Sequence, residues 1–436
     1  MANFLEWRWP GREERKGSGA RSALGYGLCA LVTLLALTAC DLDVQNPGPI
    51  QDEFLENEGA FPSIVQGFQR HNAIALGWVA YTGVYPTDEA VSSGISTAPL
   101  PEGVITPEQG SSYWNWAHQG RWMAEDAVER FRGALGDGFS NSEMAATALL
   151  FAGYGNRLLG ENFCYHVVSG GEAGPSSVHL ETAESYFTEA AQVAQGAGSA
   201  ELRMAAIAGR ASTRAFLGNW QGAVEDAAQV PDDFRYQFRY LASLDWADYN
   251  RLYFRIANEP WRRYTVWSTF YETYYEETGD PRTPWTVNPD FPIGNDGRDT
   301  PFYIQQKFTR LDSPINVSSG REMRLLEAEH LLRQQDWTAA MDIINGLRTS
   351  LASDHTGAPL EPWEANSLEQ AWTALKRERG IELWLEGRRL PDLQRWLEEG
   401  TPGDQPDMTG RSLCFPIGQT EHDTNPNDLP RGAPQG

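Results

Sequence analysis

The alternation of apolar and polar residues along this chain is mainly that of helices. Apolar residues recur at spacings of three and four, the period of a helix that packs one face on a core. The predicted helices of the N-terminal half are 54–80, 112–135, 142–159, 180–197, 202–217 and 220–229. Gly196, Gly218 and Pro231 lie where the last three should end. The short connections between several of these segments predict antiparallel helix pairs.

A second set of helical spacings, within residues 321–397, partly repeats the first. Trp337 and Ala340 have the same spacing as Trp220 and Ala223, but 117 residues separate the two tryptophans, so there is no strict period. The pattern is similar to tetratricopeptide repeats, and stacked helix pairs bury a continuous core even when they are irregular. We therefore predict a mainly α fold with little β structure, with irregular helical repeats at about 112–230 and 321–397.

The segment between the two repeat regions, about 234–303, is rich in aromatic residues and in loop-forming residues. It holds 19 of the chain's 50 aromatic residues, interspersed with glycine, proline and asparagine. Core packing explains part of this excess, and for any single ring a buried position is the competing interpretation. Exposed rings would suit the flat apolar faces of sugar rings and other amphipathic ligands. We predict a loop-rich, ligand-facing insertion.

The N-terminus has the pattern of an export signal. Five basic residues precede a 14-residue apolar run, 24–37, which is shorter than the roughly 20 residues of a membrane-spanning helix. The run leads into Leu37, Thr38, Ala39 and Cys40, which resembles a bacterial lipobox. We predict a signal peptide at 1–39, lipidation of Cys40 and an anchored tether at 40–53. A plain secretory signal with cleavage nearby is the alternative.

Charge and cysteine content restrict the possible partners further. The formal net charge of −24 repels phosphate backbones, so nucleic acid is a poor partner. If Cys40 is lipidated, Cys164 and Cys414 remain as an even pair in an exported protein, where a disulfide would persist. Two separately buried thiols are the alternative.

Sequence motifs for catalysis or metal binding are missing. None of the seven histidines lies in a metal-binding spacing, and the chain has no GxSxG, Walker or dinucleotide motif. Asn295, Asp296, Gly297 and Asp299 offer oxygen ligands that would suit Ca²⁺, but the full EF-hand order is absent and a solvated turn is the favoured interpretation. We predict no enzyme activity and no cofactor.

The most distinctive stretch is 377–396, RERGIELWLEGRRLPDLQRW. Its apolar residues form one face on each of two helices, with a break at Gly387 and a helix start near Pro391. Arg377, Arg379, Arg388 and Arg389 alternate with Glu378, Glu382, Glu386 and Asp392. Paired charges around a buried helical corner explain this pattern better than catalysis does.

The same stretch carries a family resemblance. Glu378, Arg379, Glu382 and Leu383 form an ERxxEL-like run, followed by EGRR, DLQRW and, at 415–427, a PI segment that ends in NPN. Together these motifs resemble the C-terminal signature of SusD/RagB proteins, and 321–348 is similar to the central helix pair of that family. The resemblance implies a SusD-like domain over 54–436 in a surface-exposed outer-membrane lipoprotein. Such a protein binds a nutrient, typically a glycan, and passes it without catalysis to a SusC-like TonB-dependent transporter.

The resemblance does not identify ligand-binding residues, so we select candidates by their chemistry. They are Trp78, Tyr81, Trp114, Trp261, Trp267, Tyr274 and Trp285. Two alternative functions remain open. A peptide-binding tetratricopeptide-like scaffold predicts that the aromatics of 234–303 are mostly buried, and a carbohydrate-active hydrolase predicts two carboxylates in a cleft.

Overall fold

The structure is a computed structural model that describes residues 52–243, 248–257 and 261–436. The predicted signal peptide, Cys40 and nearly all of the tether lie outside these residues. The helices are α1 (Asp52–Leu55), α2 (Phe61–Gly83), α3 (Pro107–Leu135), α4 (Glu143–Asn162), α5 (Ser177–Gly196), α6 (Ala200–Phe216), α7 (Trp220–Ala227), α8 (Phe270–Thr278), α9 (Gly320–Arg333), α10 (Trp337–Thr349), α11 (Leu368–Glu382), α12 (Arg389–Glu398) and α13 (Gln419–Thr424). Among the described residues, no helix is both long and apolar enough to cross a bilayer.

The strands are short and occur in antiparallel pairs. They are β1 (Val91–Ser92), β2 (Tyr165–His166), β3 (Gly174–Pro175), β4 (Arg235–Phe238), β5 (Tyr264–Thr265), β6 (Trp285–Val287), β7 (Tyr303–Gln305) and β8 (Ile315–Ser319). The pairs are β1 with β5, β2 with β3, β4 with β8, and β6 with β7. The predicted mainly α fold with little β structure is confirmed.

Successive helices pack as the short connections predict. Helices α2 to α7 pack each against the next along the chain, and α9 packs on α7, α10 and α11, which joins the two repeat regions. Small residues permit the close contacts: a Cβ atom added to Gly209 of α6 would lie 2.6 Å from the Phe187 ring of α5. A substituent there would displace a fully buried ring.

The helix boundaries differ from prediction where caps and turns intervene. The predicted helix 54–80 is interrupted by a 3₁₀ turn, Glu58–Ala60, before α2 begins. Helix α3 begins earlier than predicted because Thr106 and Gln109 form a capping box at its N-terminus. The break predicted at Gly387 is a turn after Glu382, in which Leu385 and Gly387 both have positive φ, 59° and 72°.

The charged corner between α11 and α12 is a buried network of ion pairs, which confirms the structural interpretation. Arg379 lies 2.7 Å from Asp392, and Arg388 lies 3.0 Å from Glu322 of α9. Arg389 forms two hydrogen bonds to Asp88, far away in the sequence. The prediction was wrong for Arg377, whose half-exposed side chain lies 3.6 Å from Asp404 at the surface.

A disulfide joins the first repeat region to the C-terminal segment. Cys164 and Cys414 are bonded with their Cα atoms 5.2 Å apart, across a sequence separation of 250. The Phe415 backbone flanks the bond on both sides, since it donates to the Asn162 carbonyl at 2.8 Å and accepts from the Cys164 amide at 3.0 Å.

Candidate functional site

Four aromatic rings and three arginines lie together where the end of α2 meets the aromatic-rich insertion. We call this group the aromatic–arginine surface; its members are Trp78, Tyr249, Phe254 and Trp261 with Arg251, Arg255 and Arg263. Trp78 lies on α2, and Phe254 and Arg255 lie on a short π-helix, Tyr253–Ala257. Such π-helical turns are rare and are often found at functional sites.

The rings and guanidinium groups contact one another in sequence across this surface. The Arg251 guanidinium lies 3.6 Å from the centroid of the Trp78 ring, and the Arg255 guanidinium lies 3.9 Å from that of Trp261. Tyr249 and Phe254 connect the two tryptophans, with ring centroids 4.1 Å apart and the Phe254 ring 6.4 Å from Trp261. The result is a continuous strip of π faces and cations.

Burial and charge differ along the strip. Arg251 and Tyr249 are buried, whereas Trp78, Phe254, Arg255, Trp261 and Arg263 are half-buried. Burial lowers the pKa of Arg251 to about 10, so its guanidinium remains protonated at neutral pH. Half-buried rings keep edges and parts of their faces accessible, and protonated guanidinium groups beside them can donate hydrogen bonds to a polar ligand.

Two loops form the edge of the surface beside Trp261. The Ser93 hydroxyl donates to the Arg262 carbonyl at 2.8 Å, and the Asn295 amide donates to the Ser93 carbonyl at 2.8 Å. Arg262 has φ 38°, a conformation unusual for a residue with a side chain. Strained backbone of this kind is concentrated at functional sites. Ile95, Phe291 and Ile293 on these loops are exposed, and they form an apolar rim.

The oxygen-rich turn that the sequence suggested as a Ca²⁺ ligand set lies next to the rim. One oxygen of Asp296 accepts from the Thr300 hydroxyl at 2.7 Å and from the Arg298 side chain at 2.9 Å, and the other accepts from the Arg298 amide. Protein donors therefore already use both oxygens of this carboxylate. No cluster of histidine, cysteine or acidic side chains in the described ranges is suited to hold a metal ion.

Two of the seven candidate aromatics, Trp78 and Trp261, belong to the aromatic–arginine surface. Tyr81, Trp114 and Tyr274 are 9%, 2% and 4% exposed, so they are scaffold residues and their assignment as ligand-facing is corrected. Trp114 packs on His118 and Phe163, and Tyr81 packs on Tyr264. Their rings are covered by neighbouring side chains and cannot stack on a ligand.

The other two candidates are half-buried and belong to different surroundings. Trp285 stacks on Tyr303 with ring centroids 4.7 Å apart, and its indole nitrogen donates to the Glu272 carbonyl. Trp267 follows β5, where its amide donates to the Thr265 hydroxyl at 3.1 Å. Both remain candidates for ligand contact, but neither is part of the aromatic–arginine surface.

Sequence reasoning missed the arginines of the surface. Arg251 and Arg255 are four residues apart and flank the aromatic residues of RLYFR, a pattern that would place both arginines on one side of a helical turn. This spacing was the available signal. The helical spacing also indicated a buried position for Trp114, since it is in register with Ala117, Ala124 and Val128, which are buried on the inner face of α3.

Comparisons with known proteins agree with this fold. Residues 250–431 match the model of the SusD family. A SusD/RagB family protein from Bacteroides thetaiotaomicron is similar in structure at 13% identity with a TM-score of 0.64, covering 83% of this chain and 94% of its own. Among curated proteins, none matches this chain significantly in sequence.

Two further similar structures have names that state a ligand. A laminarin-binding SusD-like protein has 15% identity and a TM-score of 0.61, covering 86% of this chain and 99% of its own. Surface glycan-binding protein A from Bacteroides thetaiotaomicron, in complex with laminarihexaose, has 14% identity and the same TM-score and coverage. At these identities the similarity shows the fold. Together with the family match, it confirms the resemblance to SusD/RagB proteins.

Proposed function

We propose that this chain, a SusD/RagB family protein whose residues 250–431 match the family model, binds an oligosaccharide on the aromatic–arginine surface and passes it to a TonB-dependent transporter. The observation that carries the proposal is the strip of π faces and guanidinium groups from Trp78 to Trp261. Sugar rings have flat apolar faces surrounded by hydroxyl groups. Aromatic faces and fixed hydrogen-bond donors complement both parts.

The structural neighbours support the ligand class. Two proteins with the same fold are, by name, a laminarin-binding protein and a glycan-binding protein in complex with laminarihexaose. The surface and the fold together therefore support a glycan as the ligand class. We do not propose an individual sugar from either of them.

We propose binding without catalysis. The hydrolase alternative requires a pair of carboxylates facing a ligand. The buried carboxylates Glu322, Glu329 and Asp392 each contact an arginine within 3.0 Å, which supports structural roles for them. The peptide-scaffold alternative requires a groove on the helical repeats, and the binding experiment below separates it from glycan capture.

We also propose the cellular setting from the sequence. A signal peptide at 1–39, lipidation at Cys40 and a tether at 40–53 would hold the SusD-like domain, 54–436, at the outer membrane, exposed on the cell surface. The tether allows the domain to rest on a transporter in the same membrane. No nucleic-acid partner is proposed, since the net charge of −24 disfavours it.

Replacing Trp261 by alanine should weaken binding of the cognate oligosaccharide by about tenfold or more, because the variant removes one stacking face and the Arg255 contact that orders it. Isothermal titration calorimetry against oligosaccharides that bind the wild-type protein measures the effect. Trp122→Ala is the matched control, since Trp122 is 56% exposed on α3 and is not part of the surface. Equal losses in both variants, or none in either, would argue against the proposed site.

The transporter partner is tested by co-purification. Native protein extracted from outer membranes with detergent should bring down a large TonB-dependent barrel, identified by mass spectrometry. The Cys40→Ala variant should lose both the membrane fraction and the barrel, because the anchor concentrates the two proteins in one membrane. An anchored protein without a barrel would contradict the transport role and leave a free-standing glycan binder.

A further inference from the structure

A second concave site lies beside the aromatic–arginine surface. A cleft of about 790 Å³ separates the first half of α2 from β4 and the chain that follows it. Its polar lining consists of Gln66, Gln69, Arg70, Glu201, Arg235, Gln237, Arg239 and Asp248. The volume is within the range of small-ligand sites in proteins.

Strand β4 directs its polar side chains to one side. Tyr236 and Phe238 are buried, while Arg235, Gln237 and Arg239, which alternate with them along the chain, are exposed. The buried rings are fixed against α4, where Phe238 stacks on Phe151 with centroids 4.9 Å apart. Because side chains alternate along a strand, this packing holds the two arginines and the glutamine on the opposite side.

The two arginines of this strand are not neutralised by carboxylates. Both are exposed, and neither is within ion-pair distance of a carboxylate in the described part of the chain. The two acidic residues of the lining are Glu201 and Asp248, and Asp248 pairs with Arg70 at the edge of the cleft. The lining therefore carries three cations and two anions, in a chain whose net charge is −24.

The cleft and the aromatic–arginine surface are adjacent along α2. A Cβ atom added to Gly77 would lie 3.5 Å from the hydroxyl of Tyr240, which lines the cleft, and 3.7 Å from the Cβ atom of Arg251. Trp78 follows Gly77 directly. Asp248 of the cleft likewise precedes Tyr249 of the surface. The cleft and the surface are therefore neighbours along α2.

We propose that the ligand is an acidic oligosaccharide, whose carboxylate or sulfate groups bind Arg235 and Arg239 in the cleft while neighbouring sugar rings stack on the aromatic–arginine surface. This inference rests on the proposed function and adds the charge class of the ligand. Guanidinium groups bind carboxylate and sulfate in bidentate geometry, and the three glutamine amides can bond sugar hydroxyls. A strongly acidic protein repels such a ligand elsewhere, so local arginines are what make binding possible.

The test compares three oligosaccharides of equal length with the full chain in detergent. They are a galacturonate oligosaccharide, its methyl-esterified form, which has the same rings without the charge, and a sulfated galactan fragment. Calorimetry should show that one of the charged ligands binds at least about tenfold more tightly than the ester. The advantage should shrink between about 0.15 M and about 1 M salt, because the screening length falls from about 8 Å to about 3 Å. Whether carboxylate or sulfate binds better identifies the anion.

The double variant Arg235→Gln/Arg239→Gln should remove the preference for the charged ligand and leave binding of the ester within about twofold of the wild type. Both residues are exposed, so the fold should tolerate the change. Arg310→Gln is the matched control, because Arg310 is 71% exposed in its side chain and, among the residues that the structure describes, forms an ion pair only with the neighbouring Asp312. It should keep the preference.

The outcomes separate the two proposals. If charged and esterified ligands bind equally, or if the double variant keeps the preference, the inference about charge is wrong while glycan binding stands. If only neutral glycans bind, the same conclusion holds. If no oligosaccharide of a broad panel binds the wild-type protein, the proposed function and this inference are both contradicted.

Discussion

Replacing Glu329 by alanine should lower the free energy of unfolding by about 3–5 kcal/mol, the cost of removing the nearest of the carboxylates that pair with a buried cation. The Glu329 carboxylate is fully buried and accepts from Arg395 at 2.6 and 2.9 Å and from the Trp396 indole at 3.2 Å. The variant leaves the Arg395 guanidinium in the core without this carboxylate. Equilibrium denaturation in urea measures the change.

The contribution of the same pair to the free energy of unfolding should change with pH in a defined direction. Burial alone would raise the pKa of Glu329, but Arg395, together with Arg333 and Arg379, outweighs burial and holds the pKa at about 2, below the ordinary 4.5. A depressed pKa contributes stability above the unfolded value that is lost as the pH falls toward the folded value. The difference between wild type and Glu329→Ala should therefore be complete at pH 7 and should shrink below about pH 4.5.

The control is an ion pair at the surface. Asp312→Ala removes the partner of the exposed Arg310 and should change stability by less than about 1 kcal/mol, because water replaces the lost contact. Similar losses in the two variants would mean that burial of the Glu329 pair carries no special cost, which would contradict the prediction.

Removing the disulfide should lower the free energy of unfolding by about 2–5 kcal/mol. The chain-entropy account places the loss at the upper end of this range, because the bond joins residues 250 positions apart in the sequence. We expect the double variant Cys164→Ala/Cys414→Ala to unfold at lower temperature than the wild type. The C-terminal segment should become the first part to exchange amide hydrogens, since the Phe415 backbone bonds flank the disulfide.

Reduction provides the control. Dithiothreitol should lower the unfolding temperature of the wild type toward that of the double variant and leave the variant unchanged. Mass spectrometry of the unreduced wild type that finds free thiols at both Cys164 and Cys414 would contradict the bond, and so would reduction without any effect on stability.

The helical scaffold of this protein can be predicted from local sequence patterns. The three-and-four spacing places each helix's apolar face, and alternating charges such as Arg379 and Asp392 indicate a buried paired corner because isolated charges cannot be buried. Both features depend on residues close together in the chain or on burial alone. The family resemblance comes from the same local motifs, and the match over residues 250–431 confirms it.

Which aromatic residues face outward depends on tertiary packing and could not be predicted from the sequence. An aromatic residue has the same identity in a core as on a surface, so the sequence grouped Trp114 and Tyr274 with Trp261, whereas packing buries the first two and leaves the third half-exposed. The contact of Arg251 with Trp78 joins residues more than 170 positions apart. Such a contact has no local periodicity to reveal it, because it is created when the insertion folds back onto α2.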